Sequence, residues 1–159
     1  MPDAISVRRA VEADVPGVVA LWSEMMAFHE ALDPCFERAS DGEERFAEFL
    51  RGNLANEKWL LVVADDGGKL VGYGMAALSE RPPVLKERRI GVISDLAVSA
   101  GYRRRGIGRR LVNEMMRWFR EQRLRSAEVN VAARNPISTA FWRSAGFGDY
   151  LERRRREVP

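Results

Sequence analysis

The chain has 159 residues, of which 46% are hydrophobic and 31% charged, a composition typical of a globular protein, and we predict one domain over residues 1–159. It contains no apolar run long enough to span a membrane and no signal-peptide pattern, so we expect a cytoplasmic protein without a membrane partner. A single cysteine, Cys35, excludes an internal disulfide. Because the chain also has only one histidine, it lacks the ligand spacing of a zinc site, and we expect no metal.

The charge balance says little about partners. The net charge is +3, from 26 basic and 23 acidic residues. The arginines are spread over several predicted elements and mixed with acids, so they form no long basic stripe. We therefore expect no nucleic-acid partner, and steep salt dependence of DNA or RNA binding would favour that alternative.

The first half of the chain alternates strand and helix patterns. Asp14 is a favourable N-cap residue for a helix that runs to about His29 and repeats its apolar residues on one face. Asp65-Asp66-Gly67-Gly68 has the composition of a hairpin turn between two apolar strands. The predicted elements are a strand at 5–9, the helix at 14–29, a second helix at 43–55, and strands at 58–64 and 70–78.

The second half contains a buried central strand, Ile90–Val98, followed by an amphipathic helix. At about 100° per residue, the apolar residues of this helix fill one half of the helical wheel and the polar residues fill the other. The apolar residues are Ile107, Leu111, Val112, Met115, Met116, Trp118 and Phe119. Further elements are predicted at 127–133 (a parallel-type strand), 136–145 (a short helix) and 147–156 (a last strand).

The turn between the central strand and the long helix has the chemistry of an anion site. Arg103–Arg105 precede a helix start, where the helix dipole already places partial positive charge, so a bound anion would remove the conflict. Free N–H groups of the first helical turn, with Gly106 and Gly108 allowing close approach, form a phosphate cradle. The alternative is a solvated surface turn, since short motifs also arise by chance.

A second motif runs from Asn135 to Phe147. Asn135 is a good N-cap, Pro136 suits the first helical position, and Gly146 suits the left-handed residue that ends a helix. These local roles are one explanation of the motif. A functional explanation is also open, because an aromatic pair, Phe141-Trp142, stands between the asparagine and the Gly-Phe ending.

Together the two motifs resemble the GNAT N-acetyltransferase superfamily. Arg-x-x-Gly-x-Gly after Leu96-Ala97-Val98 resembles its coenzyme-A pyrophosphate loop, and the second motif resembles its later coenzyme-binding helix, so the resemblance covers about residues 60–148. It implies an α/β (mixed α+β) fold: a twisted, mostly antiparallel sheet with a central parallel βαβ unit and helices on both faces. It also implies acetyl-CoA as co-substrate.

In the family, the matching residues contact the coenzyme or its acetyl thioester. Backbone N–H groups of the central strand can polarise the thioester carbonyl and stabilise the oxyanion during direct transfer to an amine. The coenzyme-binding residues that the resemblance implies here are Leu96, Ala97, Val98, Arg103, Arg104, Arg105, Gly106, Ile107, Gly108, Arg109, Asn135, Phe141 and Trp142.

One position departs from the family pattern. Many members carry a tyrosine at the position of Trp142, where it is thought to protonate the departing thiolate. An indole N–H donates hydrogen bonds but is no practical proton donor. Either another group serves, or a water serves, or the thiolate leaves unprotonated, which a thiol pKa near ~8.5 permits. We expect Trp142 to pack beside the thiol end of the coenzyme.

Two residues are candidate catalytic residues: Asp95, as a base or an acceptor-orienting group, and His29, as a residue of the acceptor site. Asp95 precedes the coenzyme-contacting segment, and alternation would place it in one layer with Ile93 and Ala97; its alternative role is pairing with an arginine. His29 ends the first helix, and in the family the junction of the first two helices borders the acceptor pocket; its alternative is a hydrogen-bonded helix-end residue. Tyr73, flanked by glycines, is expected to pack in the sheet, and the alternative is that it points to the pocket.

The sequence therefore predicts an acetyl-CoA-dependent N-acetyltransferase that acts on an amine of a small molecule or a peptide. The alternative, motivated by Trp142, is a non-catalytic acyl-CoA-binding or sensing domain. The loop at 80–89 is expected to cover the acceptor site, and the family implies a homodimer through the terminal strand.

Overall fold

The computed structural model describes residues 5–159, and a five-stranded sheet forms its centre. No helix within these residues is long and apolar enough to cross a membrane. In chain order the elements are β1 (Ser6–Arg9), α1 (Val15–Leu32), α2 (Gly42–Asn53), β2 (Trp59–Asp66), β3 (Lys69–Glu80), β4 (Arg89–Val98), α3 (Ile107–Glu121), β5 (Ala127–Val129) and α4 (Pro136–Ser144).

The strands lie in the spatial order β1-β2-β3-β4-β5. The first three pairs are antiparallel, and β4 pairs with β5 in parallel. Because parallel neighbours need a crossover, α3 connects these last two strands across one face of the sheet. The mixed, mostly antiparallel sheet that the resemblance implies is confirmed.

A hydrophobic core covers each face of the sheet. On one face, Leu111 and Met115 of α3 pack against Val62 and Ile93. On the other, residues of α1 and α2, among them Val18, pack against β2 and β3. Helices therefore lie on both faces, as predicted.

The amphipathic pattern of α3 is confirmed by its burial. The helix approaches the sheet closely because residue 91 is a glycine: an added Cβ there would lie 2.5 Å from Cε1 of Phe119. A larger residue would push the helix away from β4. The buried residues of α3 are Ile107, Leu111, Val112, Met115, Trp118 and Phe119.

The start of α1 differs from the prediction. Asp14 occupies the N-cap position, but its side chain makes no capping hydrogen bond. It accepts two hydrogen bonds from the Arg8 guanidinium, at 2.7 and 2.9 Å, and one from the Val11 N–H at 2.8 Å. Arg8 also donates to Asp65 at 2.9 Å. The Asp14 carboxylate pairs with the Arg8 guanidinium of β1 instead of capping α1, so the predicted cap is wrong.

The C-terminal part is less regular than predicted. β5 ends at Val129 instead of residue 133, and the predicted strand at 147–156 is wrong, because residues 147–159 contain neither helix nor strand. The run Arg153–Arg156 is exposed throughout. Four consecutive charges provide no alternating apolar face that a strand could bury, so nothing favours pairing there.

Candidate active site

A cleft of about 950 Å³ opens beside β4. β4 pairs with β5 only over Gly91–Ile93, and the rest of the strand keeps β3 on one side and an open edge on the other. Side chains of α1 line one wall of the cleft, and the start of α3 together with α4 lines the other. The cleft therefore lies where two parallel strands separate, at the turn that leads into the crossover helix.

A β-bulge changes the direction of side chains in β4. Met75 pairs with Asp95 while Ala76 pairs with Ile93, so Ser94 is an extra residue that the strand register pairs with no residue of β3. Ile93 consequently packs on the α3 face, whereas Ala97 packs on the α1 face. The prediction that Ile93, Asp95 and Ala97 share one layer is wrong, because the bulge inverts the alternation between them.

The open edge of β4 presents backbone hydrogen-bonding groups to the cleft. The Ser99 N–H donates to the Val71 carbonyl at 2.9 Å, so residue 99 faces β3. Since successive residues of a strand direct their backbone groups to opposite edges, Val98 and Leu96 face the open edge. The Val98 carbonyl confirms this direction, because it accepts a hydrogen bond from Arg103 Nε at 3.2 Å. The Leu96 N–H is therefore a donor available to a group in the cleft.

The turn before α3 has the geometry of an anion site. Arg104 and Gly106 have φ values of 60° and 77°, in the left-handed region, and this shape turns the chain into the helix. The first α3 backbone bond of this turn runs from the Arg110 N–H to the Gly106 carbonyl, so the N–H groups at 107–109 precede it. The helix has no capping side chain and no acid in its first turn.

This turn fits a phosphate group. An added Cβ at Gly106 would meet no atom within 4 Å, and Gly106, Ile107 and Gly108 all line the cleft. Open space in front of uncapped helix N–H groups and flanking guanidinium groups is what an anionic pyrophosphate requires.

The four arginines of the turn have different positions. Arg103 and Arg104 line the cleft, and Arg109 lines its rim, where it donates to the carbonyl and hydroxyl of Ser144 at 3.0 and 3.2 Å. Arg105 does not line the cleft: its guanidinium carbon lies 5.1 Å from the ring centroid of Tyr102. We therefore place Arg105 outside the set of side chains that face the cleft.

The short helix α4 forms with the predicted ends. Asn135 is the N-cap and accepts a hydrogen bond from the Ser138 N–H at 3.1 Å, and Gly146 has a φ of 94°. Asn135, Phe141 and Trp142 line the cleft. Trp142 is only 6% exposed and packs edge-to-face against Phe141 and Phe147, with ring centroids 5.2 and 5.1 Å apart. Asn135 thus has its local role and also a position in the wall.

The two candidate proton acceptors lie at different depths. His29 lines the cleft, and its Nδ1 lies 3.0 Å from the Met25 carbonyl, so Nδ1 donates to that oxygen and Nε2 is left as the acceptor. Asp95 does not line the cleft; it lies behind the wall and accepts a hydrogen bond from Tyr73 Oη at 2.9 Å. Its partner is a tyrosine, so the alternative of an arginine partner is wrong.

Burial sets the electrostatics of this inner pair. It raises the pKa of the Asp95 carboxyl above its usual range, although the Tyr73 hydrogen bond and the nearby His29 pull that pKa downwards. Burial, together with the Asp95 charge, also raises the pKa of Tyr73 well above its usual value. Tyr73 is fully buried, as predicted for a residue packed in the sheet.

Sequence reasoning missed two contacts at the cleft. Tyr73 was expected to pack in the sheet or to point to the pocket, and the pairing of β3 with β4 brings its hydroxyl to Asp95. Glu24 of α1 lines the cleft and accepts a hydrogen bond from the Ala100 N–H at 2.9 Å. No local pattern links residues this far apart in sequence. The predicted cover from the loop at 80–89 is wrong, since none of its described residues lines the cleft.

Solved structures with this fold include coenzyme complexes. An aminoglycoside N-acetyltransferase, AAC(6')-Iy, in complex with CoA has a TM-score of 0.77 at 14% identity. The match covers 98% of this chain and 95% of that chain. A predicted acetyltransferase with acetyl-CoA from Clostridium acetobutylicum has a TM-score of 0.80 at 16% identity, covering 97% and 96%. A tetramutant of the BH1408 protein from Bacillus halodurans has a TM-score of 0.80 at 23% identity, and the match covers 97% of this chain and 99% of that one. At these identities the likeness shows the fold.

A curated relative and a family model connect the fold to a family. N-alpha-acetyltransferase RimI of Mycobacterium tuberculosis is 36% identical over 95 residues, a match that spans 59% of this chain and 55% of that relative. The model described as the acetyltransferase (GNAT) family matches residues 25–147, which contain every residue that lines the cleft except Leu21 and Glu24 of α1. The chain therefore belongs to the acetyltransferase (GNAT) family.

Proposed function

We propose that the protein is an acetyl-CoA-dependent N-acetyltransferase that transfers the acetyl group directly to an amine of a small molecule or a peptide. One observation carries this proposal: the uncapped start of α3 and the open backbone edge of β4 lie in the same cleft. The first feature suits a pyrophosphate and the second suits a thioester carbonyl. Acetyl-CoA carries both groups, joined by a pantetheine arm.

The coenzyme end of the cleft supports this co-substrate. The N–H groups at 107–109 would hold the pyrophosphate, with Arg103 and Arg104 beside it as cations. Arg109 is tethered to Ser144, so it would close the rim between α3 and α4. The pantetheine arm would follow the open edge of β4, where Leu96 and Val98 offer backbone groups.

The reacting end of the cleft supports direct transfer. Acetyl-CoA supplies an activated thioester, and the Leu96 N–H would hydrogen-bond the carbonyl oxygen and stabilise the negative charge that develops when the amine attacks. The amine must lose a proton, and His29 Nε2 is the acceptor atom that lines the cleft. Asp95 lies behind it, and its negative charge would stabilise the imidazolium that results.

The departing thiolate has an aromatic neighbour in Trp142 instead of an acid. Trp142 lines the cleft, as Asn135 does, and is largely buried. It offers contact area and a hydrogen-bond donor but no usable proton, so either another group or a water would protonate the thiolate, or the thiolate would leave unprotonated.

The same position favours a second candidate, a non-catalytic acyl-CoA-binding domain. Both candidates predict acetyl-CoA binding, so turnover must decide between them. Release of free thiol from acetyl-CoA, measured with and without a panel of amines, tests the enzyme directly. Amine-dependent release with formation of the acetylated amine supports the transferase, whereas tight coenzyme binding without release by any amine supports the binding domain.

Two further expectations belong to this proposal. We infer a cytoplasmic location, where acetyl-CoA is available. The homodimer was predicted through a terminal strand, and residues 147–159 form no strand in this chain, so sedimentation analysis must decide the oligomeric state.

A further inference from the structure

We propose that the acceptor is a primary amine attached to an apolar group, bound against one face of α1. This inference rests on the proposed function and specifies its acceptor. The face consists of Leu21, Met25 and Phe28, which we call the acceptor wall. A free alkylamine or arylalkylamine has this chemistry, and so does the amino terminus of a peptide that begins with apolar residues.

The position of the wall follows from the two sides of the sheet. The anion-binding turn, α3 and α4 lie on one side of the open edge of β4, and α1 lies on the opposite side. A nucleophile must approach the thioester carbon from the side that the coenzyme leaves free. The amine therefore enters along α1, where His29 also lines the cleft.

The wall is apolar because of helical spacing. Residues 21, 25 and 28 are separated by four and three positions, so they lie above one another on one face of α1. Leu21 is 6% exposed and belongs to the core, which fixes the inner end of the wall. Met25 and Phe28 are partly buried and remain accessible from the cleft. This surface can bury the body of an apolar acceptor.

The charges in the cleft argue against two other acceptor classes. Glu24 is the only carboxylate that lines the cleft within residues 5–159, and one of its oxygens already accepts from the Ala100 N–H. A polycationic acceptor would bring several ammonium groups to a wall that cannot pair them. The arginines that line the cleft all lie on the coenzyme side, so the wall also has no cation for a phosphate-bearing acceptor.

The test measures kcat/KM for thiol release with ethylamine, butylamine and hexylamine, which have nearly the same basicity and differ in apolar length. We expect kcat/KM to rise at least about 10-fold along the series, since one methylene in an apolar pocket discriminates by about 10-fold or more. Spermidine and glucosamine 6-phosphate should fall below hexylamine. Tetrapeptides that begin Leu-Phe and Asp-Ser show whether a peptide amine is accepted and whether it follows the same preference.

A pair of variants tests the location of the pocket. Met25→Glu places a charge on the wall, and Met26→Glu is the matched control, because the neighbouring methionine does not line the cleft. We expect Met25→Glu to lower kcat/KM for hexylamine at least about 10-fold and to raise the relative rate with spermidine. Met26→Glu should keep the wild-type preference, and both variants should bind acetyl-CoA as the wild type does.

The outcomes separate this inference from the proposed function. Equal rates along the alkylamine series, or a preference for spermidine or the sugar phosphate, overturn the apolar acceptor and leave the transferase intact. If Met26→Glu changes the preference for apolar amines as much as Met25→Glu does, the acceptor wall is overturned. Acetyl-CoA binding without thiol release by any amine overturns both proposals.

Discussion

Tyr73 Oη donates a hydrogen bond of 2.9 Å to Asp95 Oδ2, behind the wall of the cleft. The two residues belong to neighbouring strands, and the bulge at Ser94 turns the aspartate towards the tyrosine. Burial opposes ionisation of this carboxyl, whereas Tyr73 and the nearby His29 favour it. A buried carboxylate whose ionisation these groups favour lowers the stability of the fold, and its charge can serve catalysis.

Asp95→Asn should reduce turnover without weakening coenzyme binding. The amide keeps an oxygen that can accept from Tyr73 but loses the charge that stabilises protonated His29. We expect kcat to fall by about 10²-fold, the lower range for acid–base catalysis, with an unchanged Kd for acetyl-CoA. Stopped-time thiol assays and calorimetry measure the two quantities. If the Asp95→Asn variant turns over the preferred amine at the wild-type rate, Asp95 has only a structural role.

The same variant should remove a pH dependence of stability. The folded pKa of Asp95 is raised, so the folded chain binds this proton more strongly than the unfolded chain. The contribution of Asp95 to stability therefore increases as the pH falls through the folded pKa towards the unfolded value near ~3.9, and it is lost as the pH rises. Thermal unfolding should show Asp95→Asn at least as stable as the wild type at neutral pH.

Tyr73→Phe should shift the pH profile of turnover. The hydroxyl lowers the Asp95 pKa, so its removal raises that pKa further. If the ionised form is needed, the acidic limb of kcat moves to higher pH while kcat at high pH changes little. Tyr73 and His29 are the titratable groups that act on Asp95 here, and a profile that keeps the wild-type limb would contradict the role of this hydrogen bond.

Gly106→Val should weaken acetyl-CoA binding. A side chain at this position would project into the space in front of the helix N–H groups, and we expect the Kd to rise at least about 10-fold. The left-handed φ of 77° adds backbone strain that could lower stability on its own. Gly67→Val is the matched control, because Gly67 has a φ of 58° and open space but lies in the β2–β3 turn, away from the cleft. Equal coenzyme affinity of the two variants in calorimetry would rule out the anion site.

Trp142→Phe should retain most of the activity. Both rings fill the space between Phe141 and Phe147, and neither is an acid. The smaller ring should cost about 1–2 kcal/mol of stability through lost packing. Trp118→Phe is the control, because Trp118 is equally buried but does not line the cleft. Loss of turnover in Trp142→Phe alone, with acetyl-CoA still bound, would give the indole N–H a role in the transition state.

Arg8→Ala should destabilise the fold without changing the cleft. The buried Asp14 would lose its ion pair, and we expect a loss of about 1–2 kcal/mol, moderated by the 38% exposure of Arg8. Arg8 lowers the pKa values of Asp14 and Asp65 in the folded chain. The stabilisation is therefore present above the pKa of an unfolded aspartate, about 3.9, and is lost as the pH falls through the lower pKa values of the folded chain. Exposed Arg9→Ala is the control, and equal denaturation midpoints of the two variants at neutral pH would contradict this role.

Elements specified by neighbouring residues were predictable. The phase of α3 depends on contacts three and four positions apart, and its apolar half is the buried half. The ends of α4 depend on Asn135, Pro136 and Gly146, each of which acts within one turn. The Gly67-Gly68 turn likewise needs only its own positive φ values. Local steric and hydrogen-bonding preferences are properties of short segments, so the sequence by itself determined these features.

Contacts between distant segments were decided by the tertiary structure alone. The bulge at Ser94 sets the direction of Asp95, and its position depends on the register between β3 and β4, which no local pattern encodes. Asp14 pairs with Arg8 instead of capping α1, because the pairing of β1 with β2 brings the Arg8 guanidinium and the Asp65 carboxylate close to it. The proposed anion site could be predicted from Arg103–Gly108, whereas the depth of Asp95 and the apolar wall opposite this turn exist only once the sheet has brought α1 and β4 together.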